Sequence, residues 1–204
     1  MILRNFLSKF NETEQHSVEE DKSFYKDLPS ELYELLKLEG GSTFDNGLYR
    51  VHTFTSSLKW SLLIAEFFND YSNKIYPFGF DWMGRQFCLR SSGDMLLMFD
   101  PSTGEAFELE QTISLLHNED FANDKDGMLS SVLFTNLLHK NRLANIKYNE
   151  CLGYKVPLFL GGKDEPNNYE VQDLEVYWHI QNQLYKKVKD LPEGTKIGNI
   201  NLQK

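Results

Sequence analysis

The chain has 204 residues, 41% hydrophobic and 25% charged, which is enough for one large domain with a full core or two small intimate ones. Its formal net charge of -9 argues against nucleic-acid binding, which needs a basic stripe, and no stretch approaches the length of a membrane span. Acidity of this kind serves solubility in many proteins, and it also suits a basic protein partner such as a nucleic-acid enzyme.

Residues 1–10 carry Arg4 and Lys9 inside an apolar run and have no small-residue cleavage site, so they do not read as a signal peptide. With the two cysteines, Cys88 and Cys151, set far apart in apolar surroundings, a cytoplasmic protein with buried free thiols is expected. Up to about residue 22 the chain is acidic and poor in periodic apolar residues. A short helix near 2–10 followed by a solvated connector is the expectation, making 1–27 a loosely attached extension. Residues 28–41 read as a helix: Pro29 and Ser30 suit its start, Leu32, Leu35 and Leu36 share a face, and Gly40-Gly41 ends it. A turn at Asn46-Gly47 and a short strand follow, then a second helix over 57–71 with Trp60, Leu63, Ile64, Phe67 and Phe68 at helical spacing.

The centre reads as a meander of strands over 80–82, 85–90, 95–99 and 105–110, separated by turn signals. Asp100-Pro-Ser-Thr-Gly104 suits a type I turn closed by a glycine with positive φ. The run Met95-Leu-Leu-Met-Phe99 has no wet face and predicts a strand covered on both sides. Phe107 and Leu109 alternate with Glu108 and Glu110 and predict one wet face. Helices are expected over 112–118, 127–146 and 173–191, the last capped by Asp173 and striped by Leu174, Tyr177, Trp178, Leu184 and Val188. A strand is expected over 156–160.

Between that strand and the last helix, Gly161-Gly-Lys-Asp-Glu-Pro-Asn-Asn-Tyr-Glu170 invites comparison with ligand loops. A phosphate loop would need glycine at Pro157 and a hydroxyl residue at Asp164. An EF-hand loop starting at Asp164 has Glu175 in place, but it meets Pro166 at its third position and Tyr169 where the turn needs glycine. The remaining reading is a strand stop and helix lead-in whose acids face solvent. The five histidines are unpaired at helical spacing and far in sequence from the cysteines, so no metal site is expected. Neither a nucleophile elbow nor a dinucleotide fingerprint occurs, and no cofactor is expected. Asp81, Asp94 and Asp100 lie near strand or turn ends and would be the carboxylates of a hydrolase, although acids at such places more often bind their own turn.

The stretches YPFGFDWMGRQFCLRSSGDMLLMFDPSTGEAFEL and CLGYKVPLFLGGKDEPNNYEVQDLEVYWHIQNQL together resemble the SUKH superfamily. More narrowly, they resemble the bacterial branch in which a GAD-related N-terminal part precedes a domain of the kind found in type VI secretion immunity proteins. LPSELYELLKLEGGSTFDNGLYRV is similar to the GAD-related opening. The resemblance spans about 28–194. It implies a single α+β domain over 28–204, with an antiparallel sheet flanked by helices, a GAD-related part over 28–75 and a SUKH-like part over 76–195. It also implies a non-enzymatic protein that binds and neutralises a cognate secreted toxin, the alternative being a regulatory or scaffold interaction module. The residues proposed to meet the partner are Asp81 with Trp82, Glu108 and Glu110 on the wet strand face, and Asp164, Glu165 and Glu170 in the polar loop.

Overall fold

Thr53 and Ser56 exchange backbone and side-chain hydrogen bonds, Ser56 N to Thr53 Oγ1 at 3.0 Å and Thr53 N to Ser56 Oγ at 2.8 Å. This capping box starts helix α3 at Phe54, earlier than apolar periodicity alone indicates. The computed structural model describes residues 3–17, 28–192 and 194–195. In chain order the elements are α1 (Arg4–Lys9), β1 (Glu12–Gln15), α2 (Ser30–Glu39), β2 (Ser42–Phe44), β3 (Tyr49–Val51) and α3 (Phe54–Phe67). The meander follows as β4 (Ile75–Asp81), β5 (Gln86–Arg90), β6 (Leu96–Asp100) and β7 (Glu105–Leu109). Then come α4 (Ile113–Leu115), which runs into a π-helical stretch at Leu116–Phe121, α5 (Lys125–Leu129), α6 (Ser131–Asn141), β8 (Glu150–Tyr154), β9 (Tyr169–Asp173) and α7 (Leu174–Val188).

Strands β1 to β7 form one antiparallel sheet in sequence order, and β8 and β9 form a separate two-stranded hairpin. The expected α+β architecture, an antiparallel sheet with helices on both sides, is what the chain adopts. One sheet face packs Phe44, Tyr49, Phe87 and Leu96 against Phe6 of α1, Leu32 and Leu35 of α2, and Ile113, Leu116, Phe121 and Phe134. The other packs Phe80, Cys88, Leu97 and Phe99 against Trp60 and Ile64 of α3 and Tyr177 and Trp178 of α7. Strand β6 is therefore covered on both faces, as its unbroken apolar run predicts. A bulge in β4 between Pro77 and Gly79 lets Phe78 face the first core while Phe80, two residues on, faces the second. Gly79 sits under Tyr49, where a Cβ would fall 2.0 Å from the phenol oxygen.

Residues 3–15 are not loosely attached. Phe6 and Phe10 are buried, the Asn5 and Phe6 amides donate to Asn118 Oδ1 at 2.9 and 3.2 Å, and β1 pairs with β2. The acids at 19–21 of the expected connector lie outside the described residues. The helix expected over 127–146 is two helices. Ser130 between them has φ 50°, and the Asp126 carboxylate accepts from Val132 N at 2.8 Å, so a side chain caps the second helix and the first cannot run on. The strand expected over 156–160 is a single 3-10 turn, Leu158–Leu160. The strand lies earlier, at β8, and a second one, β9, occupies part of the expected loop. An apolar run behind a proline does not tell strand from turn by periodicity. Cys88 and Cys151 are buried free thiols, and among the described residues no helix is long and apolar enough to cross a membrane.

Candidate partner-binding surface

Strand β7 is set by the turn before it. Asp100 Oδ1 accepts from Ser102 N at 2.7 Å and Ser102 Oγ at 2.6 Å, and Gly104, at φ +71°, donates its N–H to Asp100 O at 3.0 Å. The turn also touches the later loop, with Phe159 N donating to Ser102 O at 3.3 Å. From this anchor β7 pairs with β6 over five consecutive residues, Asp100 with Glu105 through Leu96 with Leu109. It is the last strand of the sheet, and its outer side faces no other strand among the described residues. Phe107 and Leu109 share the face of the first core, but Phe107 is 40% exposed, with no described strand beyond β7. Glu105 and Glu108 are exposed, as is Glu110 just beyond the strand. Glu108 bonds Arg90 Nη2 at 2.7 Å along the second face. The wet face is thus found, and the aromatic expected to be dry is partly in solvent.

The polar loop joins β8 to β9. Gly161, at φ +81°, ends the 3-10 turn, and Asn168 ties the loop shut by bonding Val156 through both its amide oxygen and its amide nitrogen, at 3.0 and 2.9 Å. Asp164 accepts from the Tyr169 and Tyr154 hydroxyls at 2.5 and 3.0 Å on one oxygen. Burial pushes both phenols well above their ordinary range, and the neighbouring carboxylate adds to this. Glu165 pairs loosely with Lys163 at 3.7 Å, and Glu170 is exposed on β9 opposite Gly153. Asp173 caps α7 as expected, accepting from Val176 N at 3.0 Å. Among the described residues no three His, Cys, Asp or Glu side chains are grouped to hold a metal.

Asp81 and Trp82, expected as exposed contact residues, are both fully buried. Asp81 closes the turn after β4: its Oδ1 accepts from Met83 N and Arg85 N at 3.0 Å, and its Oδ2 from Arg85 Nε at 2.6 Å. Burial raises the carboxyl above its ordinary range, against the pull of Arg85. Trp82 lies between Phe134 and Tyr169, 5.5 Å from each ring, and donates Nε1–H to Leu129 O at 2.6 Å. An acid and an aromatic beside a Gly turn look exposed in sequence; here the α5–α6 segment and the β8–β9 hairpin cover them. The carboxylates considered for hydrolysis are each occupied locally: Asp100 and Asp81 by the bonds above, and Asp94 by the Ser92 hydroxyl.

Arg50 is the other buried charge. Its guanidinium lies over the Phe80 ring at 4.6 Å and donates to Lys147 O at 2.9 Å and Asp81 O at 2.7 Å, which pins the start of β8 to the sheet. Burial lowers its pKa to about 10. Nothing in the sequence marks this arginine out, because its carbonyl partners come from a distant segment. The candidate acids therefore fall into two exposed sets, Glu108 and Glu110 by the outer strand and Asp164, Glu165 and Glu170 by the hairpin. Phe107 and Glu105 join the first set.

No curated protein matches this chain. Three solved chains match in structure. One is the crystal structure of Atu4351 from Agrobacterium tumefaciens, with a TM-score of 0.67 at 14% identity, covering 88% of this chain and 87% of that one, a likeness of fold. Residues 106–185, from β7 into α7, match the family described as T6SS immunity protein Tdi1, C-terminal. The resemblance to type VI secretion immunity proteins is thereby borne out in the second half of the chain: over residues 106–185 it is similar to the family described as T6SS immunity protein Tdi1, C-terminal.

Proposed function

We propose that this protein is an immunity protein that binds a cognate secreted toxin and neutralises it by occluding its active surface. The match of residues 106–185 to an immunity family carries this reading. The matched stretch holds all the exposed candidate acids, Glu108, Glu110, Asp164, Glu165 and Glu170. With a net charge of -9, these acids favour a basic partner of the kind that acts on nucleic acid, and complementarity would speed encounter more than it deepens affinity. Phe107, the exposed aromatic among the first set, is the natural anchor. The part played by this protein is steric and electrostatic and uses no catalytic group of its own. The test is co-expression with the toxin whose reading frame adjoins its own. Cells should survive and the two chains should purify together; death of the cells with no complex recovered would refute the reading.

A further inference from the structure

The two outer strands of the seven-stranded sheet are built differently. Sheet edges invite pairing with foreign strands, and proteins guard them with bulges, prolines, lysines or short length. At β1 the register breaks between Glu12 and Glu14, and all four residues are polar. Strand β7 keeps five unbroken pairs with β6, has neither proline nor lysine, and presents Phe107 at 40% exposure. It is also held from behind: β6 is packed on both faces, and Gly104 at the preceding turn lies against the Tyr185 ring. The result is a regularly paired edge that no described strand covers.

Among the described residues, what guards β7 is charge. Glu105, Glu108 and Glu110 occur within six residues, so a second copy of this strand would set glutamate against glutamate, which is unfavourable for directly opposed pairs. The same charges favour a strand of opposite sign. We propose that a basic, extended segment of the protein partner adds to β7 as an eighth strand by main-chain pairing. This deepens the immunity reading, since it rests on a toxin being that partner. Side chains alternate along the edge. Phe107 lies in a row with Met98 on one face, and Glu108 lies in a row with Leu97 on the other. The incoming strand therefore alternates too, with an apolar residue over Phe107 and Lys or Arg beside Glu108 and Glu110.

The probe is a synthetic nine-residue peptide alternating Lys and Val, added to the full-length protein while backbone amide exchange is followed. It should shield amides within Glu105–Leu109, and the double variant Glu108→Lys/Glu110→Lys should weaken binding by about tenfold or more, as expected from reversing two charges at a partly exposed site. A peptide of the same composition with the lysines and valines in separate blocks, and one with Glu in place of Lys, should bind less well. Equal binding of the blocked peptide, or shielding only at Glu12–Gln15 or Tyr169–Asp173, overturns strand addition. The toxin complex supplies the second arm. Rescue with β7 amides left unshielded overturns strand addition and leaves the immunity reading standing; loss of rescue and of complex, with peptide binding intact, overturns the immunity reading instead.

Discussion

Asp164 and Tyr169 are joined at 2.5 Å, carboxylate oxygen to phenol, and Tyr154 closes the triangle at 3.0 Å from the same oxygen and 2.6 Å from Tyr169. An acid that looks like a solvent-facing loop residue in sequence is a structural acceptor for two buried rings. Asp164→Ala should leave the two hydroxyls only each other, with the Tyr154 O–H unpaired, and cost about 1–3 kcal/mol in urea unfolding, whereas Glu165→Ala should change stability by less than about 0.5 kcal/mol. Equal effects would mean that the triangle contributes nothing.

Trp82 is, with Trp178, one of the two largest fully buried side chains among the described residues, held by two rings and one hydrogen bond. Trp82→Ala should cost about 3–5 kcal/mol in denaturant unfolding. Any loss of partner binding should follow the fraction unfolded and not appear in the folded protein. A variant as stable as the parent with weakened binding would return Trp82 to the contact surface.

His52 and His117 are buried and neutral. His52 is held between Ser56 Oγ at 3.0 Å and Gln86 Oε1 at 2.8 Å, and burial, aided by nearby Arg50, lowers its pKa to about 3. His117 donates Nδ1–H to Ile113 O at 2.7 Å and accepts from the Tyr49 hydroxyl at 2.9 Å, and burial lowers it to about 4. Above pH 6.5 both states are neutral and the histidines add no pH dependence. Below it the unfolded chain takes up protons that the folded one refuses. Stability should then fall by about 1.4 kcal/mol per pH unit for each histidine, levelling near pH 4 for His117 and near pH 3 for His52. Urea titrations between pH 7.5 and 4.5 read this directly, and a flat profile would contradict it.

Arg90 and Glu108 form an exposed pair at 2.7 Å. Its loss in Glu108→Lys should cost no more than about 1 kcal/mol. If the outer strand meets a basic toxin, the same substitution should slow association, and the parent's association rate should fall steeply with added salt. Stopped-flow binding at low and high ionic strength checks both; salt-independent association by the parent would remove charge steering from the mechanism.

The meander was legible in sequence because turn signals such as Asp100-Pro-Ser-Thr-Gly104 act locally, and so were α2 and α7, whose caps and stripes lie within one segment. What the sequence concealed depends on distant partners. Trp82 looks like a surface anchor until α5, α6 and β9 are placed around it. Phe107 looks dry because alternation reports a strand's two faces and not whether another strand lies beside it. Ser130 breaks a helix that periodicity runs straight through, because the carboxylate capping the next helix is read only in three dimensions. Glu108, Glu110, Glu165 and Glu170 are where solvent-facing acids were expected, since charge alone predicts exposure well.

The pairing of α1 with the π-helical stretch has a consequence for synthesis. Every strand from β2 to β7 meets its neighbour in sequence as soon as both leave the ribosome. Asn5, by contrast, bonds a residue 113 positions downstream. At usual elongation rates Asn5 waits roughly 6–20 seconds for Asn118, whereas Phe44 and Tyr49, with ring centroids 5.0 and 5.9 Å from that of Phe6, emerge much sooner. Until His117 and Asn118 emerge, the nascent chain therefore covers Phe6 and Phe10 on the Phe44 side alone, and an early-binding chaperone would meet the open side of that aromatic group.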